Sequence, residues 1–531
     1  MNLRHHLFII LSFLLATSSP LHAALSSNNL PLDSPAYHYL DKLAAIGLFS
    51  SDFRGIRPIT RSEAARLLLE AENRSREVSS PFADELIAEL RSYLAREVSI
   101  LTDPGVAPVF DVKPLTETKL RYVYLDGSPR NYERLVSDPG GDGVFGIGAG
   151  LRPDNPPGTN VTQKGSEGTP LFENNEGVRY SDGSNLDLRL RSEMYLSTYA
   201  SLFLEPMFFA ADGIMQGRIN KGYVKLGGGV LELEVGRDAN WLGFGERGSI
   251  TLSNNAANFD LLKLSSPEPV DAGFLGKLKY VLIFSRFDSV MTAKGERQPY
   301  FYAIKASLKP VPSVEIGLNL GRQQGGKGVS NSLRDNLQGL VGGTNKDNSN
   351  SLGGLELRWR VSSLRNTEAY IEFSGEDAAK FWPIVESYLA GFYIPRRTDD
   401  GKNDFRFEYF LGNRILYTHG QFSEGYLYKG MPIGDSQGGA TQDFFCRYQH
   451  WFSARERVGL DYFYTSRGNV GRIADQALER KNSVRGFLKL PFGPKLDLQI
   501  LYGWEKVLNL NLVQGVDRVN NLATVELDYR F

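Results

Sequence analysis

The sequence predicts a mainly β fold: a transmembrane antiparallel β-barrel of about 18 strands, preceded by a small periplasmic helical bundle. Three observations carry this expectation. The first is strict alternation at the end of the chain, where Ala523, Val525, Leu527, Tyr529 and Phe531 are separated by Thr524, Glu526, Asp528 and Arg530. This pattern puts an apolar face and a charged face on one strand, and about ten tilted residues just span a hydrocarbon core. The second is that the alternation recurs from about residue 108 onward, with brief and long connections in turn. The third is a secretion signal at the start of a chain that has no later apolar run of helix-spanning length.

Composition fits this class. Hydrophobic residues are 41% of 531, with 55 Gly, 25 Tyr and 31 Phe. Only alternate residues of a barrel strand face lipid, so modest hydrophobicity with abundant aromatics suits a barrel, as it also suits a large soluble β protein. The lack of a long apolar run excludes a helical membrane protein. A formal charge of −1 gives no field toward nucleic acid, so no nucleic-acid partner is expected. Cys446, the only cysteine, cannot form an internal disulfide or a cysteine metal cluster.

Taken in order, residues 1–23 read as a signal peptide. Arg4 supplies the positive end, the stretch from Leu7 to Ala16 is apolar, and Leu21-His22-Ala23 resembles a cleavage site, placing the cut near Ala23. Residues 24–105 read as a periplasmic helical segment of three short helices. Ser34 and Pro35 open the first, and Gly47 ends it. Thr60-Arg61-Ser62-Glu63 is a capping box that starts the second. Ser80 and Pro81 start the third, with Leu86, Leu90 and Leu94 on one stripe. Three short helices bury too little to stand alone, so they are expected to dock.

Residues 106–531 read as the barrel. Leu186, Leu188 and Leu190 alternate with Asp187, Arg189 and Arg191. Leu231, Leu233 and Val235 alternate with Glu232 and Glu234. Charges on the second face of so many strands imply a wet interior. Brief turns fall near Tyr199, 226–229, 310–313, 362–365, 453–455 and 491–494. Longer polar links lie at 137–183, 324–351, 419–442 and 466–481, as short periplasmic turns and longer external loops require.

The most distinctive stretch is 236–256, GRDANWLGFGERGSITLSNNA. Trp241 and Phe244 offer ring faces, while Arg237, Ser253, Asn254 and Asn255 offer hydrogen-bonding groups. Sugars are bound by this mixture, with a ring against their C–H surface and planar polar groups on the hydroxyls. These six residues are the candidate polysaccharide contacts. The same residues also suit a loop folded into the lumen with Trp241 packed on the wall.

A secreted segment with RPITRSEAARLLLEA followed by GRDANWLGFGERGSITLSNNA resembles the capsule-assembly Wzi family. Glu205-Pro206 and the terminal Phe531 fit the same resemblance. It implies a helical bundle under an outer-membrane barrel, and a lectin or assembly factor that holds capsular or other exported polysaccharide at the cell surface. Ile59 to Ala64 also resembles the core of an S-layer homology module, which would imply cell-wall contact. Its plainer reading is a capped helix with Arg61 and Glu63 in solvent.

Enzyme signals are weak. His38, His419 and His450 are the only histidines after the signal, and no HExxH spacing exists. No metal or cofactor is expected. His450, next to Trp451, fits an interfacial aromatic girdle. The expected partners are surface polysaccharide and outer-membrane lipid, with export machinery or cell wall as further contacts. The alternative is a passive diffusion porin with a cell-wall-contacting N-terminal segment.

Overall fold

The computed structural model describes residues 25–531 apart from 79, 144–149, 151, 153, 212, 293–294, 330, 340–348, 379–380, 421 and 423. The expected signal peptide, 1–23, lies outside the described residues. From residue 110 onward the chain forms a closed antiparallel barrel of 18 strands. The first strand, Phe110–Asp126, pairs with both the second, Gly183–Leu196, and the last, Arg518–Arg530. Closure removes the free edges that an open sheet would expose within a bilayer.

The alternation does what the sequence requires of it. In the last strand, Val525, Leu527 and Tyr529 point outward and are exposed, while Thr524 and Glu526 point inward and are buried. The same outward face carries Ile316, Leu357, Trp359, Ile371, Leu460 and Ile500 around the wall. This apolar skin suits lipid contact.

All six brief turns expected from the sequence fall at one end of the barrel. Two longer links at that end, 266–276 with Pro267, Pro269 and Gly273 and 395–402 with Asp400-Gly401, complete the set. The opposite end carries the long connections. One of them, 127–182, contains a hairpin of its own, Arg130–Ser137 paired with Asn160–Gly168.

Four helices occupy the short-turn end, where three were expected: α1 Ala36–Ile46, α2 Arg61–Ser75, α3 Pro81–Tyr93 and α4 Ala95–Thr102. Leu94 leaves helical geometry (φ −108°, ψ 20°) and divides the third expected helix into α3 and α4. Gly47 ends α1 at φ 92°, a left-handed conformation that glycine adopts at little cost. Thr60 caps α2 by accepting from the Glu63 amide at 3.1 Å. The other half of the capping box does not form, because the Glu63 carboxylate is taken by Arg66 at 2.8 and 2.9 Å.

The helices dock as expected. Tyr39, Leu43, Leu68, Leu86 and Leu90 share one apolar core with Trp451 and Ala454 of the barrel. Trp451, the neighbour of the girdle candidate His450, turns to the opposite face of the strand. It is 1% exposed, faces inward, and donates its Nε1–H to Asp404 Oδ2 at 3.0 Å. Lys42 of α1 is equally buried and meets Asp404 at 2.6 Å and the carbonyls of Pro395 and Gly401. A buried ammonium needs such partners, since an unpaired one costs several kcal/mol.

Candidate functional site

The segments around the helices run into the lumen. Asn29 Nδ2 donates to Glu234 and Asp238, each at 2.8 Å. Asp33 bridges Lys119 at 2.6 Å and Arg191 at 2.9 Å. Burial alone would raise the Asp33 carboxyl, but Arg191 and Lys119 hold it well below the usual carboxylate range. Asp52 meets Arg360, Lys309 and Arg358, and these cations likewise outweigh its burial. The wall charges that gave the strands their alternation are thus spent on the N-terminal segment. They do not line a water channel there.

From the other end comes the loop 239–258. The two strands that carry it, Leu231–Asp238 and Phe259–Ser265, are short, so the wall is low and the loop folds in at mid-height. Two wall glutamates grip it by its backbone. Glu372 accepts from the amides of Phe244 (2.7 Å), Gly245 (3.0 Å) and Ile250 (3.0 Å) and from Ser249 Oγ (3.2 Å). Glu408 accepts from the amides of Glu246 (2.7 Å) and Arg247 (2.9 Å). A carboxylate offers about four acceptor sites, and three of those on Glu372 go to backbone amides. Gly243 permits this approach, since a Cβ there would sit 2.4 Å from Glu372 Oε1.

At its deepest point the loop reaches the helical segment. Ile56 and Arg57 pair with Leu242 and Trp241 as a two-residue ladder. The Arg57 guanidinium covers one face of the Trp241 ring at 4.7 Å. A cavity of about 270 Å³ remains between the two, lined in part by Tyr37, His38, Arg57, Trp241, Phe244 and Asn254. Its walls are strongly charged, and Arg406 and Arg447 hold the Glu246 carboxyl far below its ordinary range despite burial.

The outer loops rest on the LSNNA residues. Ser253 bonds to Ile433 and Gly434 through its amide (2.8 Å) and hydroxyl (2.6 Å). Asn255 Nδ2 donates to the Pro432 carbonyl at 3.1 Å. The carbonyls of Asn254 and Asn255 accept from Glu176 (2.8 Å) and Gly177 (3.1 Å). Tyr417 and Tyr426 donate their hydroxyls to the carbonyls of Ile250 and Thr251 at 2.6 and 3.1 Å.

These contacts sort the six sequence-derived candidates. Trp241, Phe244, Ser253, Asn254 and Asn255 come together in the lumen, where they join the plug to the outer loops. Trp241 is 5% and Phe244 6% exposed, so neither presents an open ring platform. Arg237 stands apart on the outer side of its strand, paired with Asp260 at 2.8 Å and the Ile219 carbonyl at 3.2 Å. Arg61 and Glu63 are buried rather than solvated: Arg61 donates to the Tyr93 carbonyl and meets Glu97 at 3.2 Å. Sequence reading missed the gripping glutamates altogether. Glu372 sits between Ile371 and Phe373 like any inward strand residue, and nothing local marks what it holds.

The fold and these contacts define a plugged β-barrel, with a lipid-facing skin, a helical stopper at the short-turn end and infolded loops at the other. The chain belongs to the Wzi capsule assembly family: the family model described as Capsule assembly protein Wzi matches residues 152–522. Among solved structures it is similar to Wzi of Escherichia coli at 15% identity and a TM-score of 0.67, covering 96% of this chain and 100% of that one. That protein is described as an outer membrane protein involved in group 1 capsule assembly and a carbohydrate-binding β-barrel. Lower similarity extends to Pseudomonas aeruginosa OpdQ, at 11% identity and a TM-score of 0.42 over 78% of this chain and 97% of that one. No curated protein matches the chain at a significant level.

Proposed function

We propose that this protein is a non-enzymatic outer-membrane lectin that binds capsular or other exported polysaccharide and retains it at the cell surface. Family membership and the likeness to a carbohydrate-binding barrel support this reading. The observation that carries it is the filled lumen. Helices and the 25–60 segment occupy one end, and the loop 239–258 is tied to that segment and to two outer loops, 127–182 and 413–440. A diffusion porin needs an open path, so the porin alternative is the weaker one.

In this reading the short-turn end faces the periplasm and the outer loops meet the polymer. Many weak contacts along a repeating chain then add up by multivalency. The luminal residues Trp241, Phe244, Ser253, Asn254 and Asn255 act as the frame that positions these loops. The exposed faces of α3 and α4 are the surface left for export machinery or cell wall. Cleavage near Ala23 leaves Leu25 to Asn28 to be tucked against the barrel rim, where they are buried.

The test is binding of surface polysaccharide from the parent strain to purified protein in detergent, paired with current through planar bilayers. The reading expects saturable binding and little current. Steady conductance without binding returns the porin.

A further inference from the structure

At the outer end, the link between the strands Lys277–Arg286 and Gly295–Val311 leans against the loop 413–440. Between them lies a second cavity, of about 260 Å³. This is small beside ordinary ligand pockets, which run upward from about 300 Å³, and suits one sugar ring rather than a long oligomer. Its apolar wall is built from Phe287, Phe422 and Tyr428. The Phe287 and Tyr428 ring centroids lie 4.9 Å apart, and Phe287 is backed by Phe301 at the same distance. Rings held this way give the cavity a rigid boundary.

The rim carries charges of both signs, and most are already matched. Lys429 lies 3.6 Å from Asp288, and Lys164 lies 3.1 Å from Glu424. Arg297 is the exception. It lines the cavity, yet its guanidinium makes no hydrogen bond or ion pair with any described residue, and its Nε is buried without a partner. After internal pairing Arg297 is, among the described residues of the cavity, the cation left free beside a wall of rings. A guanidinium in that position is shaped for a carboxylate, which it can hold through two parallel N–H bonds.

We propose that this cavity is a subsite for an acidic saccharide unit. Arg297 takes its carboxylate, while Phe287, Phe422 and Tyr428, each nearly buried, bound the cavity without offering an open ring face. The proposal deepens the polysaccharide reading above and rests on it.

The experiment uses the full-length protein in detergent and oligosaccharides released from the strain's own surface polymer. Each oligosaccharide is titrated as released and after chemical reduction of its carboxylates to alcohols. The parent protein is expected to bind the acidic form about tenfold tighter, the scale of one charge-assisted contact, and to lose that preference at high salt. Arg297→Gln should bind both forms as the parent binds the reduced one, while Arg297→Lys keeps part of the preference. Heat-modifiable migration on gels confirms that each variant is folded. Equal binding of both forms by the parent, or an undiminished preference in Arg297→Gln, overturns the subsite and leaves the lectin reading standing. Binding of neither form overturns both.

Discussion

Glu372 is the most consequential single residue for the plug. Replacing it with alanine strands the amides of Phe244, Gly245 and Ile250, while the Ser249 hydroxyl keeps the Leu242 carbonyl. Each buried amide left without an acceptor costs about 1–3 kcal/mol, so three amount to about 3–9 kcal/mol against the seated loop. Even the lower figure is about a hundredfold in the opening equilibrium. Hydrogen exchange read by mass spectrometry on peptides covering 242–252 measures it directly, because local opening sets those rates. Glu372→Ala should exchange there at least about a hundredfold faster, with the strand Arg518–Arg530 unchanged. Glu372→Gln keeps one acceptor oxygen and should fall between. If the folded Glu372→Ala barrel exchanges in 242–252 as the parent does, the grip attributed to this carboxylate does not hold the loop.

Three further expectations follow from other contacts. Trp451→Ala removes a buried ring that touches Tyr39 and Phe82 at 6.3 and 6.0 Å between centroids. It should weaken the docking of the helices by about 3–5 kcal/mol, seen as faster proteolysis between 47 and 60 with the barrel intact. Trp241→Ala should leave membrane insertion unchanged and lower polysaccharide retention by loosening the ladder to Ile56 and Arg57. Retention equal to the parent's removes that residue from the frame. Asp435, in the loop 413–440, has its carboxyl pushed up to about 7 by burial, aided by Asp443 and Glu372 and opposed by the Gln437 amide and Arg247. The unfolded carboxyl ionises near 4, so the loop's seating should weaken as pH rises from about 4 to 7, by on the order of 4 kcal/mol in all. Proteolysis of that loop should be faster at pH 8 than at pH 5.5, and Asp435→Asn should flatten the difference.

The barrel was legible because its rule is local. Alternation such as Val525-Glu526-Leu527 declares both faces of a strand within a few residues, and turn chemistry marks most short links. The links 266–276 and 395–402 escaped because they are longer than the other turns at that end, although Pro267, Pro269 and Asp400-Gly401 mark them. The plug was not legible for the opposite reason. Its contacts join residues such as Phe244 and Glu372, or Asn29 and Glu234, that are far apart in the chain and individually ordinary. Charge on the inner face reads as a wet lumen from sequence, and only the fold reveals that peptide amides and a second segment consume it. Strand alternation separates the girdle candidate His450 from its neighbour Trp451, whose ring turns inward beneath α1. The stretch 236–256 was singled out correctly as unusual, yet its aromatic and asparagine residues serve close packing between loops as readily as they would serve a sugar.

The most direct measurement is the ratio of cell-attached to released polysaccharide in a strain lacking this protein, with and without the gene restored. The account predicts that deletion moves polymer from the cell surface to the medium without lowering the total made, and that restoration reverses the shift. An unchanged ratio in the deletion strain, with normal polymer production, contradicts it.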